Sequence, residues 1–523
     1  MMMNSKLAFW AGAAIVACLL PKLAFAEPVT TAPVTTDHVT EVLPKLDAII
    51  RDGMSRTGVP GLAIAIVHDD TVVFLRGYGV REVGKPEPVD PDTVFQLASM
   101  SKPIASTVVA TLVGEGLVAW DDPIVKHDPG FELKDPWVTR EVTLRDMFSH
   151  RSGLPGHIGD LLEDLGYSRE EILFRLRHVN PAGPFRASYA YTNFGLTEAA
   201  LAAAKAAGKP WEILSEERLY RPAGMTRTSS RHSDFLAAEN RAVNSVRIDG
   251  KWLPGPPRDP DAQSPAGGVS STARDLAQWL RLQLGGGKLD GKEIVTSAAL
   301  AETHQPVIAR GSAPVPSGAF PPSYGLGWNV DLDPQGRIHL SHSGAFNLGV
   351  GTNVHLVPAE RLGIVVVTNG HPVGLAEAAS KSFLDLVFAG KVERDWIDAY
   401  GQFMADAMKP DYGGAIDATR ARSQPSPALP AASYVGTYGN DFYGGLTVTE
   451  KSGSLVMSLG PRTESFQLQH ISRDTFTYQP IGENAFGPSA VTFTVEADRT
   501  TAVTIENLNL HGQGTFLRDL RKP

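Results

Sequence analysis

Two groups of strand-like segments lie on either side of a long helical stretch, and any fold of this chain has to bring them together. The first is "PGLAIAIVHDDTVVFLRGYGV" from residue 60, two apolar runs around His68-Asp69-Asp70, which predicts a β-hairpin. The second, from about residue 337, is "RIHLSHSGAF", "GVGTNVHLVP" and "RLGIVVVTNG", three strands with tight connections. Ahead of the hairpin, "HVTEVLPKLDAIIRDGM" (38–54) sets Val39, Val42, Leu43, Leu46, Ile49 and Ile50 at helical spacing. A further helix is expected from about 374 to 408, after the last strand. The middle, roughly 95 to 310, is mostly helical with loops, and Ser168 with Glu171 and Thr272 with Asp275 mark two helix starts. This order predicts an α+β fold: an antiparallel sheet flanked by terminal helices, with a helical insertion through its middle. The cleft between sheet and insertion is the expected place for an active site.

At 523 residues the chain is too long for one ordinary core. The sheet-and-insertion domain is assigned 36–408. Residues 409–432, rich in Pro, Gly, Ala and Ser with no apolar period, read as a linker. Beyond it, 433–523 carries short alternating segments, among them "GLTVTEKSGSLVMSLG", "FQLQHI", "TFTYQP" and "AVTFTVEA". They predict a small all-β domain, a barrel or sandwich.

The start has the form of a secretory signal peptide, residues 1–26: Lys6, the apolar "LAFWAGAAIVACLL", then Ala24-Phe25-Ala26 as a cleavage pattern. The run is short for a membrane span, which takes ~20 apolar residues. Lipidation at Cys18 is a second reading, for which "LLPKLAFA" makes an odd tether. Cleavage after Ala26 places the protein outside the cytoplasm, secreted or periplasmic, with no stable membrane span. It also removes Cys18, the only cysteine, so no thiol, disulfide or cysteine–metal chemistry is expected. Losing Lys6 and Lys22 takes the net charge from −9 to −11. Such a surface repels phosphate backbones and argues against a nucleic-acid partner.

In "FQLASMSKPIAS" (95–106), Ser99 and Lys102 stand three apart and share a helix face. Pro103 is tolerated only in a first turn, so the helix should begin near Ser99. A positive helix end and burial both favour a neutral lysine, which makes a base for a serine nucleophile. Ser101 and Ser106 lack that spacing. The pair alone is a chance-level motif and needs partners. "YAYTNFGL" (189–196) offers Tyr191, a phenol for proton transfer, and Asn193, an amide for a substrate carbonyl, just before a helix. "LSHSGAFNLG" (340–349) offers His342, Ser343 and Gly344 on a strand that can pair with an extended substrate. The Ala345 amide there is a candidate oxyanion donor. Rival matches read as structure: Tyr438-Gly439-Asn440 as turn chemistry, Lys451-Ser452-Gly453 as a hairpin loop, and His150 as a residue shaping its loop. His339 and His342 point to opposite strand faces, so no metal site is expected. Nothing in the sequence calls for a cofactor or sets an oligomeric state.

Taken in order, Ser99-Met100-Ser101-Lys102, Tyr191-Thr192-Asn193 and His342-Ser343-Gly344 resemble the three boxes of the class C β-lactamase-related serine hydrolases. That group includes penicillin-binding carboxypeptidases, D-aminopeptidases and esterases of the peptidase S12 type. The separations of 92 and 151 residues are similar to the family's, as are "SHRSGLPG", "AGGVSSTARDLAQWL" and "YGLGWNV". The resemblance implies a β-lactamase/transpeptidase-like fold, Ser99 as acylated nucleophile, Lys102 with Tyr191 for proton transfer, and Asn193 in substrate binding. It also implies an oxyanion hole from the Ser99 and Ala345 amides, and a lipocalin-like trailing domain. One departure is His342, where β-lactamases carry lysine. A histidine pairs less reliably with a substrate carboxylate. The expected activity is therefore hydrolysis of small peptides, amides or esters rather than efficient β-lactam turnover. The competing expectation is a non-catalytic or slowly deacylating cell-wall or β-lactam-binding protein.

Overall fold

The apolar stripe of the first helix decides which sheet face it covers. Helix α1 (Thr36–Thr57) starts on the Thr35 side chain, which accepts from His38 N–H, and stops at Gly58 in the left-handed region (φ 72°). Val39, Val42, Leu43, Leu46 and Ile50 are buried against Leu62, Ile64 and Ile66 of β1 (Gly61–His68). The alternate residues Ala63, Ala65 and Val67 pack on the opposite side, with the core of the insertion. A strand buried on both faces lies between two layers, as its unbroken apolar run requires.

The computed structural model describes residues 33–311, 320–420, 425–497 and 499–519. The expected signal segment 1–26, with Cys18, lies outside them. Among the described residues, β1 and β2 (Thr71–Gly79) join β3 (Ile308–Ala309), β4 (Ser323–Tyr324), β5 (Asn329–Leu332), β6 (Ile338–Phe346), β7 (Val350–Val357) and β8 (Leu362–Thr368) in an antiparallel sheet. Its order is β2-β1-β8-β7-β6-β5-β4-β3. The insertion includes α2 (Ser101–Gly114), α3 (Asn193–Ala206) and α4 (Ala273–Leu284). Helix α2 is buried from Ser101 to Leu112, all the way round, so it is a central helix rather than an amphipathic one. The capping box at Ser168 and the Thr272 cap are present as expected.

Three expectations need correction. The single helix expected over 374–408 is two, α5 (Leu375–Ala389) and α6 (Trp396–Ala407), because Gly390 at φ 71° ends the first. The linker segment 409–432 holds a short helix, α7 (Gly414–Arg420), anchored by one buried apolar residue, Ile416. One residue makes no period, so the pattern hid it. Tyr438 and Gly439 are not turn residues. They lie in β9 (Gly436–Asn440), where Tyr438 is buried and donates to Tyr434 O at 2.6 Å. Only Asn440 serves a turn, accepting from Tyr443 N–H.

The C-terminal region continues with β10 (Gly444–Lys451), β11 (Ser454–Leu459), β12 (Glu464–Gln467), β13 (Gln469–Ser472), β14 (Thr475–Tyr478), β15 (Ser489–Glu496), β16 (Arg499–Ile505) and β17 (Thr515–Arg518). These nine strands run β12-β11-β10-β9-β17-β16-β15-β14-β13. The two edge strands are consecutive in the chain, so the sheet curls back on itself into a nearly closed barrel. The Lys451-Ser452-Gly453 match is the β10–β11 hairpin loop, with Ser452 and Gly453 both at positive φ.

The barrel docks on the insertion beside the cleft. Tyr167 donates to Tyr443 O, His511 Nε2 lies 2.9 Å from Gly156 O, and Asp164 accepts from the Glu483 and Asn484 amides. At this seam Arg258 is buried among Glu163, Asp164 and Glu483, with Nη2 2.7 Å from Glu163 Oε2. Burial pushes the Glu163 carboxyl up to about 7 against the pull of Arg258, and its Oε1 has no partner. A carboxyl raised above its unfolded value gives stability that is full at acidic pH and lost as pH rises through about 7. Glu163→Gln is therefore expected to flatten the fall in Tm between about pH 4.5 and about pH 7 in thermal melts. Identical slopes for variant and wild type would contradict this account of the seam.

Candidate active site

Ser99 sits in a single 3-10 turn (Ala98–Met100) that runs directly into α2 at Ser101, which is where Pro103 requires the helix to begin. Ala98 holds φ 48°, an uncommon left-handed conformation for a residue with a Cβ. Its surroundings enforce it: Ala98 packs against Phe346 and Val350, Leu97 N–H donates to Val269 O, and Thr352 Oγ1 donates to Leu97 O. The turn is clamped from both layers, and Ser99 is left half-buried at the cleft.

Lys102 is fully buried one helical turn on. Its Nζ lies 2.7 Å from Asn193 Oδ1, 3.0 Å from Ala266 O and 3.1 Å from Ser99 Oγ. Burial brings the amine down to about 7, partly opposed by Asp160. A neutral amine has two hydrogens and one lone pair. The two carbonyl oxygens can only accept, so they take the hydrogens and the lone pair faces the Ser99 hydroxyl. Ser101, by contrast, is structural: its Oγ accepts from Val269 N–H.

The face opposite Lys102 is aromatic. Lys102 Nζ lies 4.5 Å from the centroid of Tyr191, whose phenol burial holds well above its usual range while the adjacent Ser99 pulls it back. The His150 ring stands 4.5 Å from Tyr191 and 4.9 Å from Tyr324. His150 shapes its loop as expected, with φ 59° and Nδ1 accepting from Thr192 N–H, and its ring is also part of the site wall. Nothing in the local sequence shows that.

His342 reaches the same wall from β6. Nδ1 lies 2.7 Å from Ser343 O, which can only accept, so Nδ1 carries the hydrogen and Nε2 accepts from Tyr324 OH at 2.9 Å. Burial, with Lys102 nearby, depresses this ring to about 3, and it stays neutral at working pH. Asn193 opens α3 with its amide fixed at both ends: Oδ1 to Lys102 and Nδ2 donating to Asp160 Oδ2 at 2.9 Å. His157 Nδ1 also meets that carboxylate at 3.1 Å. Burial disfavours the His157 cation, but Asp160 wins and raises it. The sequence reading missed Asp160, His157, Tyr324 and Ala266, which no spacing rule connects to Ser99.

The third box divides between two faces. His342 and Gly344 face the cleft, whereas the Ser343 side chain accepts from Asn353 and lies beside buried Glu377 on the α5 side. Ser343 was expected at the substrate. The strand's period of two turns its hydroxyl away, and only its backbone borders the site. Ala345 follows on β6, register-paired with Gly351. His339 shares the α5 face with Phe388. Among the described residues no cluster of His, Cys, Asp and Glu is arranged to hold a metal ion.

Fold and sequence comparison together place the chain among serine hydrolases. The chain belongs to the beta-lactamase family, whose sequence model matches residues 46–384, and a domain of unknown function (DUF3471) matches 420–518. It is 26% identical over 461 residues to the unguisins hydrolase ungD of Aspergillus violaceofuscus (strain CBS 115571), covering 80% of each chain. It is 25% identical over 347 residues to the D-alanyl-D-alanine-carboxypeptidase/endopeptidase AmpH of Escherichia coli (strain K12), covering 63% of this chain and 85% of that one. Among solved structures, the octameric penicillin-binding protein homologue from Pyrococcus abyssi aligns over 91% of this chain and 100% of its own, with TM-score 0.56 and 19% identity. A class C beta lactamase from Rhodobacter sphaeroides aligns over 65% and 97%, with TM-score 0.54 and 22% identity. The protein is thus an enzyme of a serine hydrolase family.

Gly344 lies in close contact with the Ser99 turn. A Cβ there would lie 2.1 Å from Leu97 O and 3.0 Å from Met100 N. Gly344→Ala must push β6 off the turn, and fluorophosphonate labelling of Ser99 is expected to slow by roughly 100-fold. Labelling at the wild-type rate would show that this approach does not matter.

Proposed function

We propose that this enzyme hydrolyses small peptides, amides or esters through an acyl-enzyme on Ser99. The observation that carries this is the buried Lys102, with both hydrogens taken by carbonyl acceptors and its lone pair left for Ser99. In the proposed sequence Ser99 Oγ attacks the substrate carbonyl carbon as its proton passes to Lys102 Nζ. The oxyanion is received by the backbone amides of Ser99 and Ala345. The C–N or C–O bond then breaks, and the proton travels from Lys102 through the Tyr191 hydroxyl to the leaving group. Water, deprotonated by the same pair, hydrolyses the ester and frees Ser99. Asn193 keeps Lys102 aimed and borders the substrate.

His342 bears on the substrate class. Held neutral between Tyr324 and Ser343 O, it offers no cation to a carboxylate, which supports substrates uncharged at that position over β-lactams. The apolar leader favours an enzyme exported from the cytoplasm. A panel of p-nitrophenyl esters, D-amino-acid amides, peptides and benzylpenicillin tests the reading. Esters or amides are expected to turn over, penicillin poorly. Ser99→Ala should cost roughly 10³-fold or more. Full turnover by Ser99→Ala, or a covalent adduct on another residue, would overturn the mechanism. A stable Ser99 adduct with no turnover would make the protein a slowly deacylating binder instead.

A further inference from the structure

The β6–β7 turn sits at the end of the strand that carries Ala345; His371 Nδ1 meets its Asn347 O at 3.0 Å from within the hydrolase domain, and the rest of its grip comes from the barrel. Two of the turn's three N–H groups, those of Asn347 and Leu348, donate to the one carboxyl group of Glu483, and Asn347 Nδ2 donates to the Glu483 carbonyl at 3.0 Å. Glu483 lies between β14 and β15 of the barrel. It is 9% exposed, and burial pushes its carboxyl up to about 8 against the pull of Arg258 and the two turn amides, so both its oxygens are committed to this turn with Arg258 nearby. Arg258 in turn places its guanidinium carbon 5.2 Å from the centre of the Phe346 ring, the last residue of β6. Phe346 packs on Ala98, whose left-handed conformation presents Ser99. A continuous line of contacts therefore runs from a barrel side chain, through the end of β6, to the nucleophile turn.

We propose that Glu483 is a positioning residue for the reaction: the barrel domain, through this carboxylate, sets the distance between the Ala345 amide and Ser99. This rests on the acyl-enzyme reading of Ser99. Two adjacent amides converging on two carboxylate oxygens give a rigid bidentate anchor, which a single hydrogen bond cannot. An oxyanion donor is useful only where its N–H lies at the position the developing charge will occupy, so a small drift of the strand reduces rate far more than affinity. The same loop provides an internal control. Asn484 donates to Asp164 on the insertion, through its Nδ2 at 2.8 Å and its backbone N–H, rather than to β6 or the turn.

Glu483→Gln and Glu483→Ala, both in the full chain, are compared with Asn484→Ala and wild type. The readouts are kcat and KM for p-nitrophenyl butyrate, the rate of fluorophosphonate labelling mapped to Ser99, and the thermal midpoint. Glutamine keeps one acceptor and turns an amide N–H₂ on the second donor, so the expected order of loss is Ala, then Gln. Both labelling rate and kcat should fall roughly 10- to 100-fold in Glu483→Ala, with KM changing far less. Asn484→Ala should keep kcat while losing some thermal stability. If both Glu483 variants keep kcat per labelled site within about twofold of wild type and lose only melting temperature, Glu483 is a docking contact and the proposal is overturned. Should Glu483→Ala fail to fold, Glu483→Gln alone decides on the same criterion. A wild type that takes no label at Ser99 overturns the acyl-enzyme reading, and this inference with it.

Discussion

Burying one amine organises this molecule. Lys102 has no exposed surface, and an isolated ammonium there would carry a large desolvation cost. The fold answers by lowering its proton affinity and surrounding it with two carbonyl acceptors and one hydroxyl from three separate places. These are Asn193 at the first residue of α3, the Ala266 carbonyl in the turn Ser264–Gly267, and the Ser99 turn, whose hydroxyl faces the amine's lone pair. Each sits far from the others in sequence. The position of a single nitrogen therefore depends on the insertion folding as a unit, and Asp160 supports it indirectly by orienting the Asn193 amide.

The sheet supplies the other half of the site and separates its two roles by face. On the cleft face of β6, His342 and Gly344 meet the tyrosine wall and the Ser99 turn. On the reverse, Ser343 and His339 belong to the packing under α5. The barrel then holds the far end of β6 through Glu483 and meets the cleft rim through His511. A domain with no chemical group of its own in the three boxes thus borders the site on one side.

What the sequence made legible were the features with a short-range signature. The period of α1, the hairpin, the three later strands and the Ser168 box all follow from local patterns, whereas Ser99 with Lys102 and Tyr191 with Asn193 stood out through the order of the three boxes in the family resemblance. The strand–insertion–strand order was enough for the sheet because those strands have no other apolar partner. The features that escaped it are set by contacts across long separations. Asp160, the first residue of a short helix (Asp160–Asp164), and His150, in a loop, carry no local signature until the chain folds them against Asn193 and Tyr191. Helix α7 has one buried apolar residue among its described side chains, Ile416, and the break over 390–395 is marked in the sequence by little more than Gly390. Ser343 was misplaced for a different reason: a motif carries no information on which face each member presents, whereas the pleat does.

The claim on which the account rests is that Lys102 is a base at neutral pH. Its most direct test is the pH dependence of fluorophosphonate labelling at Ser99, which reads acylation alone. With the amine at about 7, labelling should rise as pH passes through about 7 and level off above it. A rate still climbing towards the usual lysine value of about 10.4, or one flat across this range, would contradict a lysine poised by burial.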